Sequence, residues 1–130
     1  MLAGWRVVPP DGNESDLDAL ARRLAAFARE RDWDQFHSPK NLAMALAGEV
    51  GELLEHFQWL TETQSFELPA EAKEAVALEM ADVLLYLVRL ADKSGIDLAA
   101  AARRKIELNA KKYPVAQFRG RHRKYDAPET

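Results

Sequence analysis

The chain has 130 residues, of which 48% are hydrophobic and 30% are charged, and its net charge is −3. This length predicts one domain with a core of its own, and the slightly acidic balance gives no reason to expect a nucleic-acid polymer as a partner. Because the sequence contains no cysteine, disulfides, thiolate metal sites and cysteine nucleophiles are excluded.

The sequence also predicts neither a secretion signal nor a membrane span. Its first ten residues lack a basic segment followed by an apolar one. The longest apolar run, residues 75–91, is interrupted by Glu79, Asp82 and Arg89, which is atypical of a membrane helix. We therefore expect a cytoplasmic protein with no membrane partner.

The chain begins with an arm and then a helix. Residues 1–14 contain Pro and Gly and are interpreted as an N-terminal arm. Ser15 followed by Asp18 predicts a capped helix start, and leucines at helical spacing extend this first helix to about Arg31.

Two longer helices follow a break in the pattern. Ser38 with Pro39 predicts the start of the second helix, which should run to about Leu60. A polar connection leads to Pro69, which opens a third helix reaching Lys93.

The remaining signals predict a fourth helix and a tail. Gly95 suits the left-handed position after the third helix, and Asp97 caps a helix that runs to about Lys112. Residues 15–113 are thus predicted to form an all-α domain, most simply a four-helix bundle, and residues 114–130 a basic, mostly irregular C-terminal tail.

The third helix is apolar around most of its circumference. Leu78, Leu85 and Val88 lie on the side opposite its main stripe. Since such a helix must be covered on every side, we expect self-association through this central helix, although a compact bundle could also cover it.

Two pairs of acidic residues stand out by their surroundings. Glu49 and Glu52 are three residues apart on the second helix, and Glu79 and Asp82 have the same spacing on the third, so each pair shares a face. Glu49 falls within the apolar stripe formed by Leu42, Leu46, Leu53 and Leu60. Because buried carboxylates require cations, we predict that all four acids point inward and bind metal.

Ligands that are all oxygen favour Mg²⁺, with Mn²⁺ as a substitute, over zinc, copper or iron. Such ions bridge polyphosphate oxygens and promote attack by water. The pattern therefore indicates metal-assisted hydrolysis of a nucleoside triphosphate.

Two other interpretations of the acids remain. A di-iron carboxylate bundle would need Glu-x-x-His, whereas Glu52 is three residues after Glu49 and His56 is one residue out of register. Acids at helical spacing can also simply form a solvated surface.

Aromatic side chains near the ends of the second helix suit a nucleobase pocket. The break before it supplies Trp33 and His37, its end supplies Trp59, and Tyr86 lies one turn beyond Asp82. The alternative for the tryptophans is ordinary packing. Lys105 and Asn109 share a face of the fourth helix, where they could contact phosphate or sugar or merely be solvated.

The sequence resembles the dCTP pyrophosphatase branch of the MazG-like all-α nucleoside triphosphate pyrophosphohydrolases. The resemblance rests on seven stretches, namely residues 30–41, 48–52, 57–59, 79–86, 105–109, 112–114 and 123–125. It implies Mg²⁺-dependent hydrolysis of dCTP, or of a modified dCTP, to the monophosphate and pyrophosphate. It further implies a role in nucleotide-pool sanitation and a homotetramer built from two dimers.

The resemblance also implies roles for individual residues. The catalytic metal ligands would be Glu49, Glu52, Glu79 and Asp82. The substrate would contact Trp33, His37, Trp59, Tyr86, Lys105 and Asn109, the last two from the same or a neighbouring subunit.

Two positions depart from the family pattern. Leu24 replaces a histidine that contacts substrate, and Lys40 replaces an arginine. The first change leaves open a broader or different base preference. A non-catalytic dimerisation or regulatory module with the same fold is the alternative outside enzymes.

Overall fold

The structure is a computed structural model, and it describes residues 14–122. The predicted arm up to residue 13 lies outside the described residues. So does the end of the predicted tail from residue 123 onward, which includes the motif at 123–125.

Every regular element between residues 14 and 122 is helical, so the predicted all-α class is confirmed. A short 3₁₀ turn, Asp34–Phe36, separates the first two helices. The helices are α1 (Asp16–Glu30), α2 (Pro39–Glu55), α3 (Glu62–Phe66), α4 (Ala70–Lys93), α5 (Leu98–Lys112) and α6 (Val115–Phe118).

The predicted helix starts are formed by side-chain caps. Ser15, Ser38 and Asp97 each accept a hydrogen bond from the backbone N–H three residues further along the chain. These bonds satisfy donors that the first turn of a helix leaves without partners, which fixes where α1, α2 and α5 begin.

The end of the second helix was predicted wrongly. α2 ends at Glu55 rather than near Leu60, because the N–H groups of Phe57 and Gln58 both bond to the carbonyl of Leu54 and close a turn there. The polar connection that follows contains α3, which the sequence analysis missed although Thr61 begins it with a capping box.

The chain divides into two compact units, and the first, Met1–Ile96, contains α1 to α4. Within it, α4 packs along α2 and also contacts α1. Its buried apolar residues come from all three of these helices and are Ala21, Ala28, Leu42, Val76, Val88 and Ala91.

The predicted second apolar face of α4 is only partly free. Val88 is 3% exposed and belongs to the chain's own core, so its assignment to a face awaiting a partner was wrong. Leu78 is 60% exposed, and Met80 and Leu84 are exposed as well. Exposed apolar side chains therefore remain on this helix, with Met80 and Leu84 on one side and Leu78 on another.

The second unit, Asp97–Thr130, contains α5 and α6. Tyr113 and Phe118 pack edge to face with their ring centroids 5.0 Å apart, which joins the two helices. The domain limits predicted from the sequence remain a prediction. Between residues 14 and 122, no helix combines the length and the hydropathy that a transmembrane segment requires.

Candidate metal centre and neighbouring polar network

The packing of α2 against α4 brings the predicted acids together. Glu49 lies in the last part of α2, and Glu79 and Asp82 lie near the middle of α4. Each of the three offers a carboxylate oxygen, and these oxygens lie within 4.8 Å of one another. Oxygen ligands on opposite sides of one ion are about 4.2 Å apart for Mg²⁺ and about 5 Å apart for Ca²⁺, so separations of this order suit a single divalent ion.

The four acids differ in burial. Glu49 and Glu79 are half-buried, and one oxygen of each, Oε2, is buried with no hydrogen-bond partner. Glu52 and Asp82 are exposed, so the burial expected for all four acids is found only at Glu49 and Glu79. Asp82 nevertheless joins the cluster from its solvent-facing side.

The electrostatics of the cluster are unfavourable without a cation. Burial raises the pKa of Glu49 to about 7, with further contributions from hydrogen bonding to Glu52 and from the charges of Glu52, Asp82 and Glu79. Glu52 therefore lies close enough to Glu49 to act on it. Each neighbouring negative charge makes ionisation of Glu49 more costly.

These observations fit a divalent cation. Buried oxygen acceptors without partners are rare in folded proteins, and a bound ion supplies what these two carboxylates lack. An all-oxygen donor set is suited to a hard divalent metal. The cluster is a candidate metal centre.

The connection between α1 and α2 has a well-defined shape. Asp32 adopts φ 56°, in the left-handed region, and its N–H bonds to the carbonyl of Arg29. The N–H of Trp33 bonds to the carbonyl of Ala28, which completes a Schellman motif at the end of α1. Further along, the side-chain amide Nδ2 of Asn41 donates to the backbone carbonyl of Phe36 at 3.0 Å. Both ends of the connection are thus fixed to the adjoining helices.

Trp33 and His37 are neighbours on this connection. Their ring centroids are 6.3 Å apart in an edge-on arrangement, and Trp33 makes a similar contact with Phe27 of α1 at 5.7 Å. Trp33 remains 43% exposed. An aromatic surface that is supported from behind but open to solvent is suitable for stacking on a base.

The same connection is joined to α4 by a buried arginine. Arg89 is 5% exposed and donates through Nε to Nδ1 of His37 at 3.1 Å. Its Nη2 donates to Asp34, and its Nη1 lies 3.5 Å from Asp92 on the same helix. Sequence reasoning missed this network, although Arg89 had been visible as a charge within an apolar run.

The remaining predicted substrate residues are more dispersed. Trp59 follows α2 and is 86% exposed, whereas Tyr86 is half-buried on α4, one turn beyond Asp82. Lys105 and Asn109 are exposed on α5, in the second unit.

A family model and several relatives of known sequence all match this chain. The model of the MazG-like family matches residues 45–127. The chain is 47% identical over 114 residues to mouse dCTP pyrophosphatase 1, a match that covers 86% of this chain and 67% of the mouse protein. The human protein of the same name is 46% identical over the same coverage, and the bovine protein is 44% identical, covering 87% of this chain and 68% of its own length.

A solved structure is also similar. The crystal structure of a pyrophosphatase from Archaeoglobus fulgidus aligns with a TM-score of 0.73 and 41% identity. The alignment covers 78% of this chain and 95% of the archaeal one.

Proposed function

This chain belongs to the MazG-like family and is a nucleotide pyrophosphohydrolase, and on that premise we propose that its substrate is dCTP or a modified dCTP. The products would be the nucleoside monophosphate and pyrophosphate. The proposal includes a cytoplasmic role in removing unwanted nucleotides from the precursor pool.

The observation that supports this most is the acidic cluster with its two unpartnered buried oxygens. Glu49, Glu79 and Asp82 would hold Mg²⁺, with Glu52 beside them as the fourth ligand. Mn²⁺ would substitute, since it accepts the same oxygen donors. When bound, the metal would act as a Lewis acid, neutralising charge on the leaving group and making a water more acidic.

The residues of the chain would contribute orientation and proton transfer. One glutamate of the cluster orients a water molecule and takes its proton as the water oxygen attacks the α-phosphorus. The bond between the α-phosphorus and the bridging oxygen breaks, and pyrophosphate leaves.

The base and sugar would be bound by the aromatic residues. Trp33 and His37 already form a supported pair on the α1–α2 connection, and Trp59 and Tyr86 would complete the pocket. In the proposed assembly, Lys105 and Asn109 would contact phosphate or sugar, supplied by a neighbouring subunit. Their exposure on α5 is compatible with that role.

A broader base preference is the second candidate. It is favoured by Leu24, an apolar and half-buried residue of α1 at the position where the resemblance predicts a histidine contact. Losing one hydrogen-bonding group from a pocket reduces discrimination between bases but does not change the reaction.

One assay separates these candidates. The purified chain is incubated with Mg²⁺ and a panel of canonical and modified nucleoside triphosphates, and the products are separated by chromatography. We expect pyrophosphate and dCMP from dCTP, with slower turnover of purine nucleotides. Orthophosphate as the first product, or no turnover of any triphosphate, would refute the proposed reaction. Equal rates across bases would favour the broader preference.

We further propose a homotetramer composed of two dimers, with the nucleotide as the small-molecule partner. The exposed apolar side chains of α4, namely Leu78, Met80 and Leu84, support self-association. Sedimentation of the wild type and of Leu78→Glu tests this, and the variant should dissociate into smaller species. A monomeric wild type at micromolar concentration would contradict it.

A further inference from the structure

Arg89 is a buried charge that the proposed reaction does not use. Among the described residues it is the charged side chain with the lowest exposure, 5%, and it lies on α4 two turns beyond Asp82. A buried guanidinium costs several kcal/mol unless its donors are satisfied. Its partners show what it does in the fold.

Two of those partners lie on the α1–α2 connection. Arg89 is 52 residues from His37 and 55 from Asp34 in sequence, yet it donates to both. The connection that carries Trp33 and His37 is therefore held against α4 by a charged, directional contact. A flexible or purely apolar contact would not fix the orientation of the imidazole ring.

The direction of the hydrogen bond determines the protonation state of His37. A guanidinium N–H can only donate, so Nδ1 of His37 must be the acceptor and cannot carry a proton. A neutral imidazole with a bare Nδ1 carries its proton on Nε2. His37 is thus restricted to donating a hydrogen bond through Nε2.

The charges around His37 favour the same state. Burial lowers the pKa of His37, and the charge of Arg89 lowers it further; Asp34 raises it and Lys93 lowers it again. Lys93 lies 3.9 Å from Asp34, and Asp92 lies 3.5 Å from Arg89, so both belong to the same network. Protonation of His37 would replace an acceptor with a second positive donor facing Arg89.

We propose that Arg89 is a positioning residue that locks His37 as a neutral Nε2–H donor, so that His37 binds only a hydrogen-bond acceptor on the base or sugar of the nucleotide. This inference rests on the proposed function for the identity of the ligand. The tautomer itself depends only on the contacts within the fold. Arg89 would act through His37 and would not touch the substrate.

The first test is spectroscopic and needs no substrate. The ¹⁵N chemical shifts of the imidazole report which nitrogen carries the proton, and His37 is assigned by comparison with His37→Gln. We expect the Nε2–H form in wild type at pH 7 and a midpoint of titration below 6.5, the ordinary value for histidine. An Nδ1–H form, or a midpoint at or above that ordinary value, would overturn the proposal.

Two substitutions should move the titration in opposite directions. Arg89→Gln removes the positive charge but keeps an N–H donor, so the midpoint of His37 should rise. Asp34→Asn removes the negative charge but keeps the oxygen acceptor, so the midpoint should fall. A change of the same sign in both variants would indicate general loosening of the connection and would contradict the proposal. Arg22→Gln, which removes an arginine paired with Glu14 on the surface, is the matched control and should leave His37 unchanged.

Kinetics then connect the tautomer to the substrate. In Arg89→Gln, the acid limb of kcat/KM against pH should shift upward together with the His37 midpoint. The shorter Gln side chain should orient the His37 ring less firmly, so the hydrogen bond from His37 to the substrate should weaken and KM for dCTP should rise about tenfold while kcat changes little. A fall in kcat with unchanged KM would overturn the positioning role. If Arg89→Gln does not fold, Arg89→Lys retains the charge and should keep the lowered midpoint while still raising KM.

The outcomes separate this inference from the proposed function. A wild type that shows the expected tautomer but hydrolyses no triphosphate would refute the function and leave the network intact. A wild type that hydrolyses dCTP but has a protonated Nδ1 on His37 would refute the inference alone.

Discussion

Helix α4 carries two polar clusters with opposite electrostatics. Near its middle, Glu79 and Asp82 face Glu49 of α2, so three like charges converge and two oxygens have no partner. Two turns further on, Arg89 joins Asp34 and His37, and there the charges are opposite and the donors are satisfied. On the same helix, the polar groups of one cluster are therefore paired within the fold, whereas the other cluster keeps two carboxylate oxygens without a partner.

The two clusters differ in what they do to the folded chain. A satisfied network lowers its free energy and fixes the connection that carries His37. A cluster of like charges raises its free energy in the absence of a cation, which supports the proposed metal site. Three experiments test this contrast.

The largest expected effect is the loss of activity in Glu79→Gln. Removing this carboxylate should lower kcat/KM for dCTP at least about 1000-fold, equivalent to about 4 kcal/mol, because the metal loses a ligand. The unfolding temperature measured in EDTA should not fall, since one repulsive charge has gone. Added Mg²⁺ should then stabilise wild type but not the variant.

Glu62→Gln, an exposed acid of α3, is the control for that experiment and should behave as wild type in all three measurements. Wild-type activity in Glu79→Gln would refute the metal site. A large loss of stability in EDTA would show instead that the acidic cluster supports the fold.

The second effect is a loss of stability in Asp34→Ala. This change leaves the buried Arg89 without its hydrogen-bonded carboxylate and should lower the free energy of unfolding by about 2 kcal/mol. Urea denaturation of the wild type and the variant measures this loss in the free energy of unfolding. The surface pair of Glu14 and Arg22 provides the comparison, because Glu14→Ala should cost much less stability than Asp34→Ala. Equal losses in the two variants would mean that burial does not strengthen the Arg89 network.

The smallest effect is a pH dependence of the stability of the metal-free protein. Since the pKa of Glu49 is raised to about 7 from 4.5, the folded state binds more protons than the unfolded state between these values. The stabilising contribution of protonated Glu49 is fully present below pH 4.5 and is lost as the pH rises through 7. Stability in EDTA, measured from pH 5 to pH 8, should therefore decline, and Glu49→Gln should flatten this part of the curve. An identical decline in the variant would assign the effect to other groups.

The helices could be predicted because their signals are local. Caps at Ser15, Ser38 and Asp97 and the glycine after α4 act within four residues of their targets, so spacing alone located them. After Glu55 the residues are compatible both with a longer helix and with a turn, so the pattern did not locate the end of α2. The short helix α3 was missed because its polar residues are equally compatible with a loop.

The acidic cluster was partly predictable. Spacing showed that Glu49 shares a face with Glu52, and Glu79 with Asp82, and the apolar surroundings indicated burial. How deep each acid lies was not predictable, because Glu52 and Asp82 are at the edge of the α2–α4 contact and remain exposed. Burial depends on the rotation of one helix against another.

The all-helical class, the helix starts and the two acidic pairs could be predicted from local pattern, since each depends on residues within one turn of each other. Which acids come together, and that Arg89 contacts a connection more than fifty residues away, depended on how the helices pack. The physical reason is that the free energy of a buried charge depends on partners that packing supplies, and packing joins residues from distant parts of the chain.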